Sequence, residues 1–429
     1  MKSGTVEASY PIYFRENDAK KLGLLIQNRR SVVLVGMRRV GISNFLRFFL
    51  NHPGVAAQYV KQPMPLFIPV DLNDLVEREI FPFWILTLKR IVDYVEQAIE
   101  NEAIKKKISQ LFLDSIQSQD LFLTIDGIRK SLVMLTNNGY SPTLFFIRFD
   151  RIIDAATPAF FDNFQGLIDA TARKLSFVFT SMRPLETLSP EVFTKHALAV
   201  FADTIYVQPA EHKDVKIIYD VAIKKYNIIL APPLEKKLLE LVDGYNQYLQ
   251  FALITLHEQK GKLTLEKMQE ILLSDERIAL QSEELWESLS LDEKQALEKS
   301  MAKKKLSNDE KEKSDYLYKT GLINTQGMLF SPLFEQFLME KVVSQKKENH
   351  VLELSKKEHS LLTFLSGNKN EVCEREEIIE HVWQEEESLG VSDWAIDRLV
   401  ARLRSKLKNQ NSKDEIVTVK TRGYKLIET

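Results

Sequence analysis

The sequence contains few of the residues that cross-link, bend or anchor a chain. A single cysteine among 429 residues, Cys373, excludes an internal disulfide or a thiolate zinc site within one chain. Glycine (15) and proline (14) are scarce, which favours helices joined by short connections. No segment approaches about 18 consecutive apolar residues, and the first residues contain no apolar core. We therefore expect a cytoplasmic protein with no membrane span and no signal peptide.

An excess of one charge sign is absent as well. The chain has 58 basic and 60 acidic residues, a net charge of -2, so a uniformly basic nucleic-acid coat is excluded, while a local basic patch is not. The 7 histidines show no paired metal-ligand spacing, and we do not expect a metalloenzyme. Apolar residues make up 44% of a chain long enough for about three domains, which is typical of globular proteins.

Hydrophobic patterns divide the chain into four segments. Residues 1–210 alternate helical stretches with short β-branched or aromatic runs (SVVLVG, PLFIPVDL, TLFFIRF, LSFVFTS and TIYVQP), which predicts a parallel sheet covered on both faces. Residues 211–275 repeat apolar residues at helical spacing. Residues 276–343 predict shorter helices and a hairpin. Residues 349–429, after the polar run SQKKENH, form a separate unit.

The first strand runs into a loop with two glycines and then into a helix. Residues 36–43 read GMRRVGIS and keep the glycines and the hydroxyl of the phosphate-binding pattern G-x-x-x-x-G-K-[ST], but Ile42 replaces the lysine. Such glycines let backbone N–H groups surround a phosphate, and the lysine neutralises its charge. Candidate nucleotide-binding residues in and after this loop are Gly36, Arg38, Arg39, Gly41, Ser43 and Asn44.

Two later strands place polar residues at their ends. In LFFIRFD we predict that the strand ends at Asp150, a candidate Mg²⁺ carboxylate together with Ser43. Arg151 follows, at the position of a catalytic glutamate. Thr180 and Ser181 end the strand LSFVFTS, and Asp150 and Thr180 are further candidate nucleotide-binding residues. These features, with YFRENDAKKL before the first strand, resemble the AAA+/STAND class of P-loop ATPases. The resemblance implies an α/β P-loop core with a helical lid.

The resemblance implies a nucleotide site but leaves its activity open. It implies ATP or ADP with Mg²⁺ as cofactor, and the alternative is no cofactor. Without the lysine and the glutamate we expect weak hydrolysis or none, so the sequence leaves undecided whether the chain is an enzyme. Plainer interpretations also stay open. The glycines fit an ordinary turn, and Asp150 fits a helix cap or an ion pair with Arg151. Arg38 and Arg39 fit either solvated loop charges or a partial replacement of the lysine, and Arg183 fits either a phosphate sensor or a surface salt bridge.

The C-terminal segment predicts three helices followed by a hairpin. Ser355 and Glu358 have the spacing of a capping box at the first helix. In the third helix, SDWAIDRLVARLRSKLK, apolar residues share one face and arginines share another. Residues 398–425 hold nine basic and two acidic residues, a net charge of +7, whereas residues 353–397 hold four basic and twelve acidic residues, a net charge of -8. This polarity is typical of a winged helix with one DNA-facing side.

The same segment closely resembles the OmpR/PhoB-type DNA-binding domain of response regulators. The shared frame is VSDWAIDRLVARLRSKL followed by IVTVKTRGYKL. The resemblance implies that Arg402 and Arg404 lie on the recognition helix and that Lys420 lies on the wing. Trp394 and Arg398 depart from the family's usual residues, so no operator sequence can be transferred. The candidate DNA-binding residues are Trp394, Arg398, Arg402, Arg404, Ser405, Lys420, Arg422 and Tyr424.

Residues 276–343 resemble a further winged helix, so the predicted fold is an α/β P-loop core with a helical lid, followed by two mainly α winged-helix domains. The first functional hypothesis is a sequence-specific double-stranded DNA-binding regulator of transcription with a degenerate nucleotide-binding and oligomerisation module. The second is an active STAND/AAA+-type NTPase switch that assembles on DNA in replication initiation, transposition or phage defence. A third is a non-enzymatic scaffold, which the basic third helix disfavours. The expected partners are double-stranded DNA, a second copy of the chain, and RNA polymerase or another protein.

Overall fold

The computed structural model of the chain describes residues 5–193, 202–226, 228–259, 263–302, 304–324, 326–347, 354–383, 393–409, 414–419 and 422–428. The chain divides into two compact units, Met1–Gln336 and Phe337–Thr429, and each is described by itself. In the described ranges, none of the helices combines the length and the apolar character that a membrane crossing requires.

A five-stranded parallel sheet forms the centre of the first unit. The strands are β1 Ser31–Val35, β2 Pro65–Asp71, β3 Ser141–Ile147, β4 Ser176–Ser181 and β5 Ala202–Tyr206, in the order β2-β3-β4-β1-β5. All residues of β1 and β4 are buried, as expected for strands covered on both faces. The predicted parallel α/β core is therefore confirmed. Because the carboxyl ends of parallel strands meet at one edge, the loops after β1, β3 and β4 lie together.

Helices cover both faces of this sheet. They are α1 Glu16–Gln27, α2 Ile42–Asn51, α3 Ile80–Ala98, α4 Glu102–Ser118, α5 Leu121–Asn137, α6 Pro158–Ala170, α7 Leu185–Leu188 and α8 Pro190–Phe193. Phe83 of α3 and Phe164 of α6 pack against Phe146 and Phe179 of the sheet, and the rings of Phe146 and Phe179 stack at 5.6 Å. These buried aromatic side chains fix the helices to one face of the sheet.

The rest of the first unit is helical. It contains α9 His212–Tyr226, α10 Pro232–Val242, α11 Asn246–Glu258, α12 Leu265–Ser274, α13 Glu276–Glu287, α14 Leu291–Met301, α15 Asn308–Lys313, α16 Asp315–Lys319 and the start of α17 Pro332–Lys347. Ser290 and Glu293 form a capping box that starts α14. Between α16 and α17, Ile323 pairs with Leu329 in an antiparallel bridge, at the position of the predicted hairpin.

Besides the end of α17, the described residues of the second unit form three helices and a small antiparallel sheet. Its elements are α18 Lys356–Gly367, β6 Cys373–Glu374, α19 Arg375–Val382, α20 Asp393–Asn409, β7 Asp414–Val419 and β8 Gly423–Glu428, with the sheet order β6-β8-β7. Ser355 and Glu358 form the predicted capping box of α18. The apolar face predicted for the third helix is buried in the core of this unit, and it consists of Ile396, Leu399, Val400, Leu403 and Leu407. The predicted winged-helix architecture is therefore confirmed.

Candidate nucleotide cleft and nucleic-acid interface

Two glycines shape the loop between β1 and α2. A Cβ atom on Gly36 would lie 2.9 Å from the carbonyl oxygen of Val207, so the close approach of the neighbouring chain requires glycine. Gly41 has a φ of 111°, which side chains rarely adopt, and α2 starts directly after it. The first N–H groups of a helix have no intrahelical acceptor and are available to an anion. The loop thus has the backbone arrangement of a phosphate-binding loop.

A cleft of about 700 Å³ opens in front of this loop. The loop, the carboxyl ends of β3 and β4, and the helices α11 and α13 all contribute to its wall. Residues that line the cleft include Arg38, Arg39, Ile42, Ser43, Asn44, Arg148, Asp150, Arg151, Thr180 and Glu284. The structure therefore brings together the predicted nucleotide-binding residues from three separate parts of the sequence.

The position of the missing lysine is filled by an apolar side chain. The Cδ1 atom of Ile42 lies 3.1 Å from the place that a Cβ atom on Gly36 would occupy, so this side chain reaches back along the loop. It brings no charge to the cleft. Neutralisation of a phosphate must therefore come from other side chains.

Both arginines of the loop are bound by one buried glutamate. Arg38 forms an ion pair with Glu284 of α13, and the Nε atom of Arg39 lies 3.4 Å from the second oxygen of the same carboxylate. The Glu284 side chain is only 4% exposed. The phenol of Tyr245, just before α11, donates to the Arg38 carbonyl oxygen at 2.5 Å. A phosphate at this loop would compete with Glu284 for the two guanidinium groups.

Two candidate residues at the start of α2 differ in their surroundings. Ser43 is exposed to the cleft. Asn44 is buried, and its amide nitrogen donates to the Glu7 carboxylate at 3.1 Å. Arg47, one turn further, donates to the same carboxylate at 2.8 Å. The structure thus uses the Asn44 amide to hold the N-terminal segment, although the residue also lines the cleft.

Strand β3 ends at Ile147, three residues earlier than the sequence predicted. The residue that directly follows the strand is Arg148, whose N–H donates to the Thr180 hydroxyl at 2.7 Å. Asp150 lies in a 3-10 turn beyond it and also lines the cleft. Burial raises the pKa of Asp150, and the charges of Arg38, Arg151 and Arg148 oppose that shift. Because it accepts the Arg148 N–H, the Thr180 hydroxyl fixes the backbone at the end of β3 in this structure.

Arg183 lies outside the residues that line the cleft. Its guanidinium donates to both oxygens of Glu293 at 2.6 and 2.8 Å and lies 3.8 Å from the centre of the Tyr316 ring. The arginine and glutamate side chains are 16% and 5% exposed. Arg183 thus forms a salt bridge, one of the two roles expected from the sequence, but the salt bridge is mostly buried and not on the surface. It joins the end of β4 to α14, and the Tyr316 ring adds a contact with α16.

In the second unit, α20 presents polar residues opposite its buried face. Ala401 is exposed, and Arg398 and Arg402 are half-buried on the same side of the helix. Trp394 and Ser405 lie within the helix, but their side chains are outside what the structure describes, and Lys420 lies outside the described residues. Arg422, directly before β8, donates to Glu374 at 3.2 Å and is largely exposed. The described part of this surface is an arginine-bearing helix face beside a hairpin.

Two other predicted DNA-binding residues connect the helix to the wing. The Nε and Nη2 atoms of Arg404 donate to the Ile416 carbonyl oxygen at 2.7 Å and to the Thr418 hydroxyl at 2.8 Å. Tyr424 is 3% exposed and its phenol donates to Asp397 of α20. Burial and the bond to Asp397 raise the pKa of Tyr424 to about 12. Both side chains thus orient the hairpin relative to α20.

Comparison with known proteins identifies the second unit. Residues 348–426 match the family model described as "Transcriptional regulatory protein, C terminal". The C-terminal unit is an OmpR/PhoB-type winged-helix domain. It is 40% identical over 75 residues to the response regulator ArlR of Staphylococcus epidermidis, which covers 18% of this chain and 33% of that protein. Over 87 residues it is 36% identical to the cholera toxin homolog transcriptional activator of Vibrio parahaemolyticus, and the match covers 20% of this chain and 30% of that protein. The chain spans about a third of the length of these relatives.

Two solved structures are similar to this chain over about three quarters of its length. The ORC2 protein of Aeropyrum pernix has a TM-score of 0.49 and 11% identity and covers 78% of this chain and 95% of its own. A Walker-type ATPase of Pyrococcus abyssi has a TM-score of 0.45 and 15% identity, and the match covers 76% of this chain and 95% of that ATPase. The structure itself shows the parallel α/β core of the first unit, with the strand order β2-β3-β4-β1-β5, the two-glycine loop and the helical segment.

Two residues of the cleft were missed by sequence reasoning. Arg148 could have been found, because the apolar run TLFFI stops directly before it and marks the strand end at Ile147. Glu284 gave no local signal, since it lies 246 residues from its partner Arg38.

Proposed function

We propose that this protein is a sequence-specific double-stranded DNA-binding regulator of transcription. The observation that carries the proposal is α20, whose apolar face is buried while Arg398 and Arg402 lie away from that face. The Arg404 side chain joins the same helix to strand β7 of the wing. Helices of this kind enter the major groove, where arginine reads guanine. The match to a transcriptional regulatory family, and relatives named as a response regulator and a transcriptional activator, support it.

Replacing one arginine on this face tests the proposal. We expect Arg402→Ala to weaken binding of the full-length chain to its preferred duplex by about 1–3 kcal/mol, because a guanine contact is lost. The preferred duplex is first selected from a random pool, and binding is then measured by fluorescence anisotropy on that duplex and on a shuffled one. Arg422→Ala should weaken both duplexes alike, since a wing residue near the DNA backbone carries no base information.

The matched control is Lys369→Ala. Lys369 is a basic residue of the same unit that pairs with Asp414 at 2.9 Å, and its loss should leave DNA affinity unchanged. An equal loss for Arg402→Ala on the selected and shuffled duplexes would show that Arg402 does not read sequence.

We further propose that the P-loop cleft binds ATP or ADP with little hydrolysis. The glycine loop, the start of α2 and a cleft of about 700 Å³ support binding. Ile42 and Arg151 argue against efficient turnover, because the first supplies no charge and the second cannot act as a base at neutral pH. The cleft carboxylate Asp150 favours the competing function, an active NTPase switch that assembles on DNA.

A hydrolysis measurement separates these two functions. We expect turnover well below the ~1 per second that is usual for working enzymes, with or without the selected duplex. Ile42→Lys should tighten nucleotide binding more than it raises turnover, because it restores a cation but no base. Phosphate release is followed at saturating ATP, with Asp150→Asn as control. Ordinary turnover by the unmodified chain that disappears in Asp150→Asn would establish the NTPase switch instead.

A further inference from the structure

Among the described residues, the carboxylates that line the cleft are few and lie beside arginines. Protein sites for nucleotide-bound Mg²⁺ supply one or two carboxylates beside the phosphates. Among the described residues that line the cleft, the carboxylates are Asp150 and Glu284. Glu284 is already engaged by Arg38 and by Arg39, whose Nε atom lies 3.4 Å away. Asp150 remains, and it lies among the positive charges of three arginines, Arg38, Arg148 and Arg151.

The residue that follows β3 is a cation. Arg148 stands at the carboxyl end of the strand, where the sequence pattern led us to expect a metal-binding aspartate, and it forms an ion pair with Asp71 at the end of β2. Arg151, one turn further, donates through Nη1 to the side-chain oxygen of Asn73 at 2.5 Å. Within the described part of the chain, the Nε atoms of both arginines are buried and have no hydrogen-bond acceptor. These two N–H groups have unused capacity for an anion.

The charge balance of the cleft points the same way. Of the described residues that line it, six are arginine (Arg38, Arg39, Arg47, Arg78, Arg148 and Arg151), and two are acidic. Glu7 and Asp71, outside the lining, pair with Arg47 and Arg148, so the arginines still outnumber the carboxylates by two. A cleft with this excess of positive charge attracts a polyanion and repels a divalent cation. The arginines therefore supply the positive charge that a metal ion brings to other phosphate sites.

We propose that the cleft binds a nucleoside di- or triphosphate without Mg²⁺, with Arg148 and Arg151 in contact with its phosphates. This inference rests on the proposed function of the cleft as a nucleotide site and specifies its charge chemistry. It also accounts for a site that retains the phosphate-binding backbone without the lysine or the metal-binding aspartate at the strand end. Planar guanidinium groups suit this role, since they bind phosphate oxygens through two parallel N–H groups.

Calorimetric titration of the full-length chain with ADP and with ATP tests the inference. Each titration is performed once with excess Mg²⁺ and once with EDTA. We expect the dissociation constants in EDTA to equal or fall below those in Mg²⁺, because metal-bound nucleotide carries less negative charge into a cationic cleft. Arg148→Ala and Arg151→Gln should each weaken binding by about tenfold in both conditions, a loss typical of one charge-assisted contact. Arg148→Asp, which places a carboxylate at the strand end, should abolish binding in EDTA.

Arg30→Ala is the matched control. Arg30 also pairs with an aspartate, Asp203, but lies outside the residues that line the cleft, and its variant should bind ADP like the unmodified chain. Thermal unfolding of each variant shows whether it folds, and Arg151→Gln keeps the test valid if Arg148→Ala does not. Binding that is tenfold or more tighter with Mg²⁺ (about 1.4 kcal/mol) would overturn the inference and leave the nucleotide site in place. Absence of binding in both conditions would overturn the nucleotide site itself.

Discussion

Glu358→Gln is expected to lower the free energy of unfolding of the C-terminal unit by about 3 kcal/mol, because it removes the buried carboxylate of an ion pair with Lys406. Glu358 is 1% exposed. One of its oxygens accepts from the Nζ atom of Lys406 on α20 at 2.6 Å and from the N–H of Ser355 at 2.7 Å. Glutamine can keep the capping bond to Ser355. The loss therefore reports mainly the ion pair that joins the first helix to the recognition helix.

The same pair predicts a pH dependence. Burial raises the pKa of Glu358, but the bonds from Lys406 and Ser355 outweigh it and hold the pKa below its ordinary value of 4.5. The pKa of Glu358 is lower in the folded chain than in the unfolded chain. The contribution of the ion pair to stability is therefore fully present above about pH 4.5 and is lost as the pH falls through the folded pKa. The Glu358→Gln variant should lack this part of the acid sensitivity.

Hydrogen exchange of the α18 and α20 amides in the full-length chain measures the effect, because it reports the opening of this unit separately from the larger one. Glu376→Gln is the control, since Glu376 is an exposed first-turn acid of α19 and its loss should change stability by less than about 0.5 kcal/mol. Adding Lys406→Met to Glu358→Gln should recover part of the loss. Equal destabilisation by Glu358→Gln and Glu376→Gln would contradict a special role for the pair.

The architecture could be predicted because its signals are local. Buried parallel strands are nearly continuous apolar runs, so each of the five strands was visible in the sequence, and four of them within two residues of their bounds at both ends. The face of α20 from Ile396 to Leu407 followed from helical spacing alone. The carboxyl end of β3 was misplaced because Phe149 is buried like a strand residue although it follows the left-handed Arg148.

Side-chain partners could not be predicted in the same way. The competition of Glu284 for the loop arginines, and of Glu7 for Asn44, depends on contacts between residues distant in sequence. Arg404 and Tyr424 fit a DNA-binding pattern by position, yet their side chains hold the wing. A resemblance transfers a backbone position, whereas the partner of a long polar side chain depends on the whole surrounding structure.

The full-length protein is expected to bind a duplex with two half-sites about 10²–10⁴-fold more tightly than a duplex with one, through self-association of residues 1–336. A single winged helix reads one half-site. If the larger units of two chains associate, they hold two winged helices together. Once the first winged helix has bound its half-site, binding of the second half-site is intramolecular. The dependence on salt should also become steeper, because twice as many phosphates release counterions.

The measurement compares the full-length chain with residues 337–429 on one and on two half-sites, with the mass of each complex determined by light scattering. Residues 337–429 are the matched control, because they contain the complete winged-helix core but not the larger unit. Moving the half-sites apart by about half a helical turn, roughly 5 base pairs, turns the second site to the opposite face of the DNA and should remove most of the gain. A full-length protein that stays monomeric on DNA, and gains no affinity from the second half-site, would show that the larger unit does not pair the readers. Nucleotide sensing or recruitment of another protein would then be its role.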